Sequence, residues 1–267
     1  MTSTSTFPSD LRWAPRVTEH DLGDGARVQV ADRDRSQPFL LLHGGAGPAS
    51  VAGFGDLLAA RTRSRVFTPT HPGFDGTARP DHLDSIAALA HTYAELLERL
   101  DVWDVTVVGN SIGGWVATEL ALLGCPQVSG IVLIDSVGFT VPGHPVTDVS
   151  ELEPADLEAL VYFEADRFRA GDTRGPASGV IHANARTLAA YCGAAMSDPT
   201  LLDRTRDLEL PVHLIWGAAD GIVAPDYGRA VAATIAHSHF TLLETAGHLP
   251  QIESPEELLA AIQQIDL

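Results

Sequence analysis

The chain contains one serine whose neighbours suit it to nucleophilic chemistry. Ser111 lies in the run GNSIGG (109–114), with a glycine two residues before it and two residues after it. The β-branched run 105–108 indicates a buried strand, and 115–120 indicates the start of a helix. A strand that turns into a helix so abruptly holds the serine in a strained backbone conformation, and the glycines leave room for that turn. We therefore expect the hydroxyl to stand above the sheet edge, beside free amides at the helix N-terminus.

A serine hydroxyl needs a general base, and the base needs a third group to orient it. Among the eleven histidines, His248 lies in a loop just after the last apolar strand, 239–243. Loops at the carboxyl ends of parallel strands open on the same edge of a sheet, so His248 can reach Ser111. Asp220 follows another buried strand and is the favoured orienting carboxylate. Asp135, which ends the strand after the serine, is the alternative.

A second glycine-rich turn follows the apolar strand 39–42. It reads HGGAGP (43–48) and allows the backbone to approach a ligand closely. The turn leaves the N–H groups of Gly45 or Ala46 free to donate to a developing negative charge. His43 is better suited to holding this loop than to accepting protons.

Charge and cysteine usage limit the partners and the compartment. The 267 residues carry a net charge of −18, and all 17 cations are arginine. Such a field repels nucleic acid and anionic membrane surfaces, so we expect neither as a partner. Two cysteines, Cys125 and Cys192, give no disulfide framework and no metal-ligand spacing, which predicts reduced, buried thiols and no metal. The polar residues 1–10 do not resemble a signal peptide, no run is long enough to span a bilayer, and we expect a cytoplasmic protein.

Strand patterns alternate with helix patterns along most of the chain. This alternation predicts an α/β fold with a mostly parallel central sheet and helices on both faces. The sequence GDG between the first two strands favours a hairpin. The predicted strands are 16–20, 27–31, 39–42, 65–68, 105–108, 128–134, 212–216 and 239–243, and the predicted helices include 86–100, 115–120, 226–236 and one from 255 onwards.

The alternation breaks between residues 139 and 208. Two segments there, 154–170 and 179–192, have apolar residues at helical spacing. We expect a helical lid over the carboxyl edge of the sheet, inserted between core segments 1–138 and 209–267. The alternative is a helical packing layer with no role over the site.

Four motifs occur in the order typical of the α/β-hydrolase superfamily, which the chain resembles from about residue 25 to its C-terminus. They are HGG at 43–45, GNSIGG at 109–114, GAAD at 217–220 and GH at 247–248. The resemblance implies an α/β-hydrolase fold with an inserted lid and chemistry that needs no cofactor. A serine at the nucleophile position excludes the haloalkane dehalogenases and epoxide hydrolases of this fold, which carry aspartate there.

The same resemblance assigns roles to particular residues. Ser111 would be the nucleophile, His248 the general base and acid, and Asp220 the group that orients the imidazole. The oxyanion hole would consist of the backbone amides of Ile112 and Gly45, with Ala46 as a further donor.

The first functional hypothesis is hydrolysis of a small carboxylic ester through an acyl-serine intermediate. Aromatic residues of the lid segment suggest a hydrophobic or aromatic acyl group, although each could equally pack the lid onto the core. These residues are Phe139, Tyr162, Phe163, Phe168 and Tyr191.

The second hypothesis is hydrolysis of a carbon–carbon bond. The run 43–48 and Asn110 resemble those of the meta-cleavage-product hydrolases, which need an arginine for the substrate carboxylate. Arg186 or Arg174 would serve, but Leu249 stands where such enzymes usually carry tryptophan. A third reading is a slow-turnover ligand sensor. The substrate-binding candidates are His43, Gly44, Asn110, Phe139, Tyr162, Arg186 and Leu249.

Overall fold

A computed structural model describes residues 16–23, 25–32, 37–149, 152–166 and 178–264. Its main sheet has the strand order β1-β2-β4-β3-β5-β6-β9-β10. The β1–β2 and β2–β4 pairs are antiparallel, whereas every other neighbouring pair in this sheet is parallel. The predicted α/β fold with a mostly parallel sheet is confirmed.

The described elements have the following bounds. The strands are β1 (Arg16–Gly23), β2 (Ala26–Asp32), β3 (Gln37–Leu42), β4 (Ser64–Thr70), β5 (Val105–Asn110), β6 (Val128–Ile134), β7 (Gly138–Phe139), β8 (Ser197–Asp198), β9 (Val212–Gly217) and β10 (Ser238–Leu243). The helices are α1 (Ala49–Thr62), α2 (Ile86–Leu100), α3 (Ile112–Leu122), α4 (Pro154–Val161), α5 (Ser178–Cys192), α6 (Leu201–Arg204), α7 (Pro225–Ala232), α8 (Pro250–Glu253) and α9 (Pro255–Gln263), with a 3₁₀ turn at Thr205–Asp207.

The sheet buries both of its faces. Along β5, Val107 and Val108 point to opposite sides, as the two-residue period of a strand requires. The Val107 side packs against α2, α3 and α7. The Val108 side packs against α1 and α9. This double cover explains why the central strands are apolar at nearly every position.

Several predicted elements match the structure closely. The predicted ranges 86–100 and 128–134 coincide with α2 and β6. The hairpin is present as the antiparallel β1–β2 pair, although Asp24 in its turn lies outside the described residues. Both cysteines are free thiols, but Cys125 is only half-buried, contrary to expectation.

The predicted helix 154–170 is wrong in its extent. Helix α4 ends at Val161, and Tyr162 is extended at φ −112° and ψ 140°. The carbonyls of Leu160 and Val161 accept hydrogen bonds from Gly221 N–H (2.9 Å) and His248 N–H (2.7 Å) instead of continuing the helix. Residues 167–170 lie outside the described part of the chain.

The segment 139–208, for which the sequence shows no strong strand signal, contains a short strand. β8 pairs in parallel with β7, which begins at Gly138 beside the end of the core sheet. A two-residue pairing has no periodicity to read, so sequence patterns miss it. The lid boundaries at 139 and 208 remain a prediction. None of the described helices combines the length and the apolar character needed to cross a membrane.

Candidate active site

Ser111 occupies a strained turn between β5 and α3. Its backbone has φ 56° and ψ −118°, which side-chain-bearing residues rarely adopt. A Cβ added at Gly109 would lie 2.2 Å from the Gly113 carbonyl oxygen, and one at Gly113 would lie 2.4 Å from that of Leu42. Both glycines are therefore required by backbone that approaches closely on each side of the serine.

The loop that carries His248 is fastened to the residue before the serine. The side-chain amide of Asn110 donates to the carbonyls of His248 (3.0 Å) and Ile134 (3.3 Å). Its oxygen accepts from the Gln251 side chain at 3.1 Å. Asn110 is 1% exposed, and both the nitrogen and the oxygen of its side-chain amide form hydrogen bonds, so the side chain positions the loop. A main-chain carbonyl far along the chain occupies its donor, and substrate binding by Asn110 stays a prediction.

The side chains of His248 and Asp220 are in direct contact. The His248 Nδ1 lies 2.8 Å from Asp220 Oδ2, and both residues are buried. Asp220 Oδ1 accepts from the backbone N–H groups of Ile222 (2.8 Å) and Val223 (3.1 Å), which fix the carboxylate from behind. These contacts leave Nε2 as the imidazole atom available for proton transfer.

The alternative acid, Asp135, has a different partner. Its Oδ1 accepts from the Gly217 N–H at 2.8 Å, and the side chain is fully buried. Burial first, and then the negative charge of Asp220, raise the pKa of Asp135 well above its usual range. The structure therefore places Asp220, not Asp135, against the imidazole of His248.

In the described part of the chain, the Ser111 hydroxyl forms no hydrogen bond with His248. Ser111 and His248 are each 7% exposed and are linked through Asn110. Catalytic contacts are often longer in an unliganded enzyme and shorten when substrate binds.

The glycine-rich turn after β3 packs directly on the serine. A Cβ at Gly44 would lie 3.0 Å from both the Ser111 Cβ and the Asn110 side-chain oxygen, so only glycine fits there comfortably. Ile112 begins α3, where the N–H has no partner within the helix. Among the described residues, no backbone acceptor is found for the N–H groups of Gly45, Ala46 or Ile112. These three predicted oxyanion donors remain free to bind a ligand.

His43 holds this turn through both ring nitrogens. Nδ1–H donates to the Gly44 carbonyl at 2.8 Å, and Nε2 accepts from the His71 N–H at 3.0 Å. Burial lowers the pKa of His43 to about 4, so the ring is neutral near pH 7. His71 in turn contacts the Tyr93 hydroxyl. His43 therefore supports the loop, and its part in substrate binding stays a prediction.

The remaining predicted binding residues lie at different places. Phe139 is buried, and its backbone exchanges hydrogen bonds with the Tyr227 hydroxyl at 2.8 and 3.0 Å, so it packs the core. Tyr162 is half-buried, and Leu249 is buried next to His248. Arg186 is exposed. Phe168 and Arg174 lie outside the described residues.

The position of Arg186 follows from the face that α5 presents to the core. Thr187 donates to the Gly73 carbonyl at 2.9 Å, and Tyr191 donates to that of Pro72 at 3.0 Å. Asn184 accepts from the Asp75 N–H at 2.9 Å. Residues three or four apart share a face of a helix, so Arg186 points away from it. Its contact with a substrate carboxylate stays a prediction.

Sequence reasoning missed Glu253, which joins the lid segment to the histidine loop. One carboxylate oxygen accepts from the Gly247 N–H at 2.6 Å, and the other accepts from the Phe163 N–H at 2.7 Å. Burial raises the pKa of Glu253, although these backbone donors oppose the rise. No motif marks a carboxylate whose partners are backbone groups 6 and 90 residues away.

Comparison with known proteins agrees with this architecture. Residues 39–261 match the model of the alpha/beta hydrolase family. The chain therefore belongs to the alpha/beta hydrolase family, whose members include enzymes that hydrolyse esters and carbon–carbon bonds.

Individual relatives are more distant. An uncharacterized protein of Mycobacterium tuberculosis is 26% identical over 257 residues, covering 86% of this chain and 75% of its own length. A 2-hydroxy-6-oxo-6-(2'-aminophenyl)hexa-2,4-dienoic acid hydrolase of Metapseudomonas resinovorans is 23% identical over 253 residues, covering 89% and 86%. A thermophilic esterase from Thermogutta terrifontis superposes with a TM-score of 0.70 at 21% identity, covering 93% of this chain and 97% of its own. At that identity the superposition shows the fold alone.

Proposed function

We propose that this enzyme hydrolyses a small carboxylic ester through an acyl-serine intermediate, with Ser111, His248 and Asp220 as its catalytic triad. The observation that carries the proposal is the 2.8 Å contact between His248 and Asp220, on a loop that Asn110 ties to the serine turn. The strained backbone of Ser111 supports the same role, because strain of this kind is kept where function requires it.

The chemistry follows from this arrangement. Nε2 of His248 takes the proton of the Ser111 hydroxyl as the oxygen attacks the ester carbonyl, and Asp220 stabilises the resulting imidazolium. The amides of Ile112 and Gly45, with Ala46 adjacent, would hold the oxyanion. The imidazolium then protonates the departing alkoxide, leaving an acyl-serine. Water, deprotonated by the same Nε2, attacks the acyl carbon, and Ser111 recovers its proton when the acid departs.

The side chains around the glycine turn favour an apolar acyl group. A Cβ added at Gly45 would lie 3.2 Å from a methyl group of Leu188, so this side chain of α5 lies over the proposed oxyanion turn. Leu249 is buried directly after His248.

The test is labelling by a fluorophosphonate together with turnover of short aryl esters. We expect wild-type protein to be labelled and to hydrolyse the esters, and Ser111→Ala to do neither while unfolding at the same urea concentration. Ser136→Ala is a matched control, because Ser136 is also buried near α3 but lies outside the proposed triad. Labelling that persists in Ser111→Ala would refute the assignment.

A second candidate is carbon–carbon bond hydrolysis, which the Metapseudomonas relative favours. Against it, Arg186 is exposed, so the cation expected to bind a dienoate carboxylate is not supplied by that residue. Assay of a vinylogous 1,5-diketone acid beside an aryl ester separates the two. Rapid diketone cleavage with little ester turnover would reverse the order of preference, whereas tight binding without turnover of either would favour the ligand sensor.

A further inference from the structure

A second carboxyl group lies beside the proposed triad and has no part in the mechanism above. Asp135 directly follows β6, whose last residue, Ile134, pairs with Ile215 of β9. It is fully buried, and its backbone has the left-handed φ of 45°. A residue other than glycine that is held in this region and kept away from water commonly has a specific role.

The two oxygens of Asp135 have different surroundings. Oδ1 accepts the Gly217 N–H at 2.8 Å. Oδ2 is buried, and no N–H or hydroxyl donor reaches it among the described residues. Gly217 lies between the two acids: its N–H donates to Asp135, and its carbonyl accepts from the Asp220 N–H at 3.2 Å. Burial first, and then the negative charge of Asp220, raise the pKa of Asp135. Two buried carboxyl groups held at the same residue cannot both be ionised at low cost, so we expect one of them to hold a proton.

The count of donors decides which carboxyl is ionised. Asp220 accepts from two backbone N–H groups and from the imidazole of His248. Asp135 accepts from one backbone N–H. Each donor stabilises a carboxylate, so the negative charge belongs on Asp220 and the proton on Asp135. Glu253 is the other acid whose charge acts on Asp135, and it disfavours ionisation further.

We propose that Asp135 is a positioning residue for the reaction, a neutral carboxylic acid that donates a hydrogen bond from Oδ2 to Asp220. This proposal rests on the proposed function, since it assigns Asp135 a task only if Asp220 orients the catalytic histidine. The donated bond holds the Asp220 carboxylate towards His248 from the side that the backbone donors leave open. It also keeps a second negative charge away from the imidazole.

Asparagine is the variant that separates this role from its rivals. An asparagine at 135 can accept from Gly217 and donate an amide N–H to Asp220, as the neutral acid does. We expect Asp135→Asn to keep kcat/KM within about threefold of wild type, with the acid limb of its pH profile unmoved. Asp135→Ala lacks the donor, and we expect its kcat to fall roughly tenfold to a hundredfold. Asp220→Asn, the matched control, should fall by on the order of 10⁴.

A loss of activity in Asp135→Asn comparable with that in Asp220→Asn would overturn the proposal, because it would mean that the charge of Asp135 is needed. A displaced acid limb in Asp135→Asn would overturn it as well. If Asp135→Ala does not fold, the comparison of Asp135→Asn with wild type still decides the question.

A spectroscopic measurement tests the proton directly and does not depend on turnover. Infrared spectra of protein labelled with ¹³C-aspartate should show the carbonyl band of a protonated carboxylic acid at pH 7, and Asp135→Asn should lack it. The absence of the band from wild type, or its persistence in Asp135→Asn, would overturn the proposal while leaving ester hydrolysis untouched. Conversely, a wild-type enzyme that hydrolyses no ester would refute the proposed function, and the band would still report whether Asp135 holds the proton.

Discussion

A buried histidine far from the proposed triad should make the fold sensitive to acid. His213 lies on β9 with no exposed surface, and its Nε2 is 2.8 Å from the Thr241 hydroxyl. Burial first, and then the nearby His239, lower the pKa of His213 from 6.5 to about 3. The ring is therefore neutral in the folded protein over most of the acidic range.

The sign and size of the effect follow from proton linkage. The unfolded chain binds a proton at His213 below pH 6.5, whereas the folded chain does so only near pH 3, so stability falls as the pH drops between these values. Between pH 7 and pH 5 this one group should lower the free energy of unfolding by about 2 kcal/mol. Above about pH 7.5 it should have no effect, since the ring is then neutral in both states.

Urea unfolding of wild type and His213→Gln at pH 7 and pH 5 measures this contribution. Glutamine reaches Thr241 but does not titrate, so the variant should lose about 2 kcal/mol less than wild type over that interval. Other buried histidines, such as His43, act equally on both proteins and cancel. His237→Gln, which changes an exposed histidine, should retain the wild-type dependence on pH. Equal losses in wild type and His213→Gln would refute the reasoning.

Three further predictions concern the site and its supports. Ser111→Gly should abolish ester hydrolysis, yet its free energy of unfolding in urea should exceed that of Ser111→Ala by about 1 kcal/mol, because glycine relieves the strained φ of 56°. Equal stability of the two variants would show that the turn is unstrained. Glu253→Gln should lower kcat about tenfold with little change in KM, and it should speed amide hydrogen exchange at Gly247. The reason is that one of the two backbone N–H groups that bind the Glu253 carboxylate would then face an amide NH₂. Unchanged exchange would contradict this prediction. Arg204→Met should lower the free energy of unfolding by about 2 kcal/mol, because it leaves the buried Glu119 without the guanidinium that contacts it at 2.6 and 2.8 Å. Adding Glu119→Gln should restore part of the loss. A double variant less stable than Arg204→Met would count against that explanation.

Elements with a long and regular pattern were predictable because their signal is local. Helix α2 combines an apolar stripe with Ser85, whose hydroxyl accepts from the Ala88 N–H at 3.3 Å, so both its face and its start can be read in the sequence. The serine turn was predictable for a related reason. Glycines at 109 and 113 are the only residues that such close backbone contact permits.

Two features that the sequence does not reveal depend on partners far away in the chain. Asn110 was expected to bind substrate, but it donates to a carbonyl 138 residues later. The helix beginning at Pro154 was expected to run to residue 170. Its last two carbonyls instead accept hydrogen bonds from N–H groups in loops that lie 60 and 87 residues after the end of the helix at Val161. A backbone hydrogen bond to a distant loop has no sequence pattern, so neither outcome could be read from the chain alone.

The sequence by itself determined the alternation of strands and helices, the strained serine turn and the short set of residues able to serve as base and acid. Each depends on periodicity or on steric limits among near neighbours. Only the tertiary structure decided between the two carboxyls that end buried strands, because adjacent strands β6 and β9 bring both Asp135 and Asp220 to the same edge. Asp220 faces the imidazole because the loop after β9 packs closely against the loop that carries His248. A Cβ added at Gly217 would lie only 2.0 Å from the backbone oxygen of Gly247. Such packing is a property of the assembled sheet, and no single strand carries it.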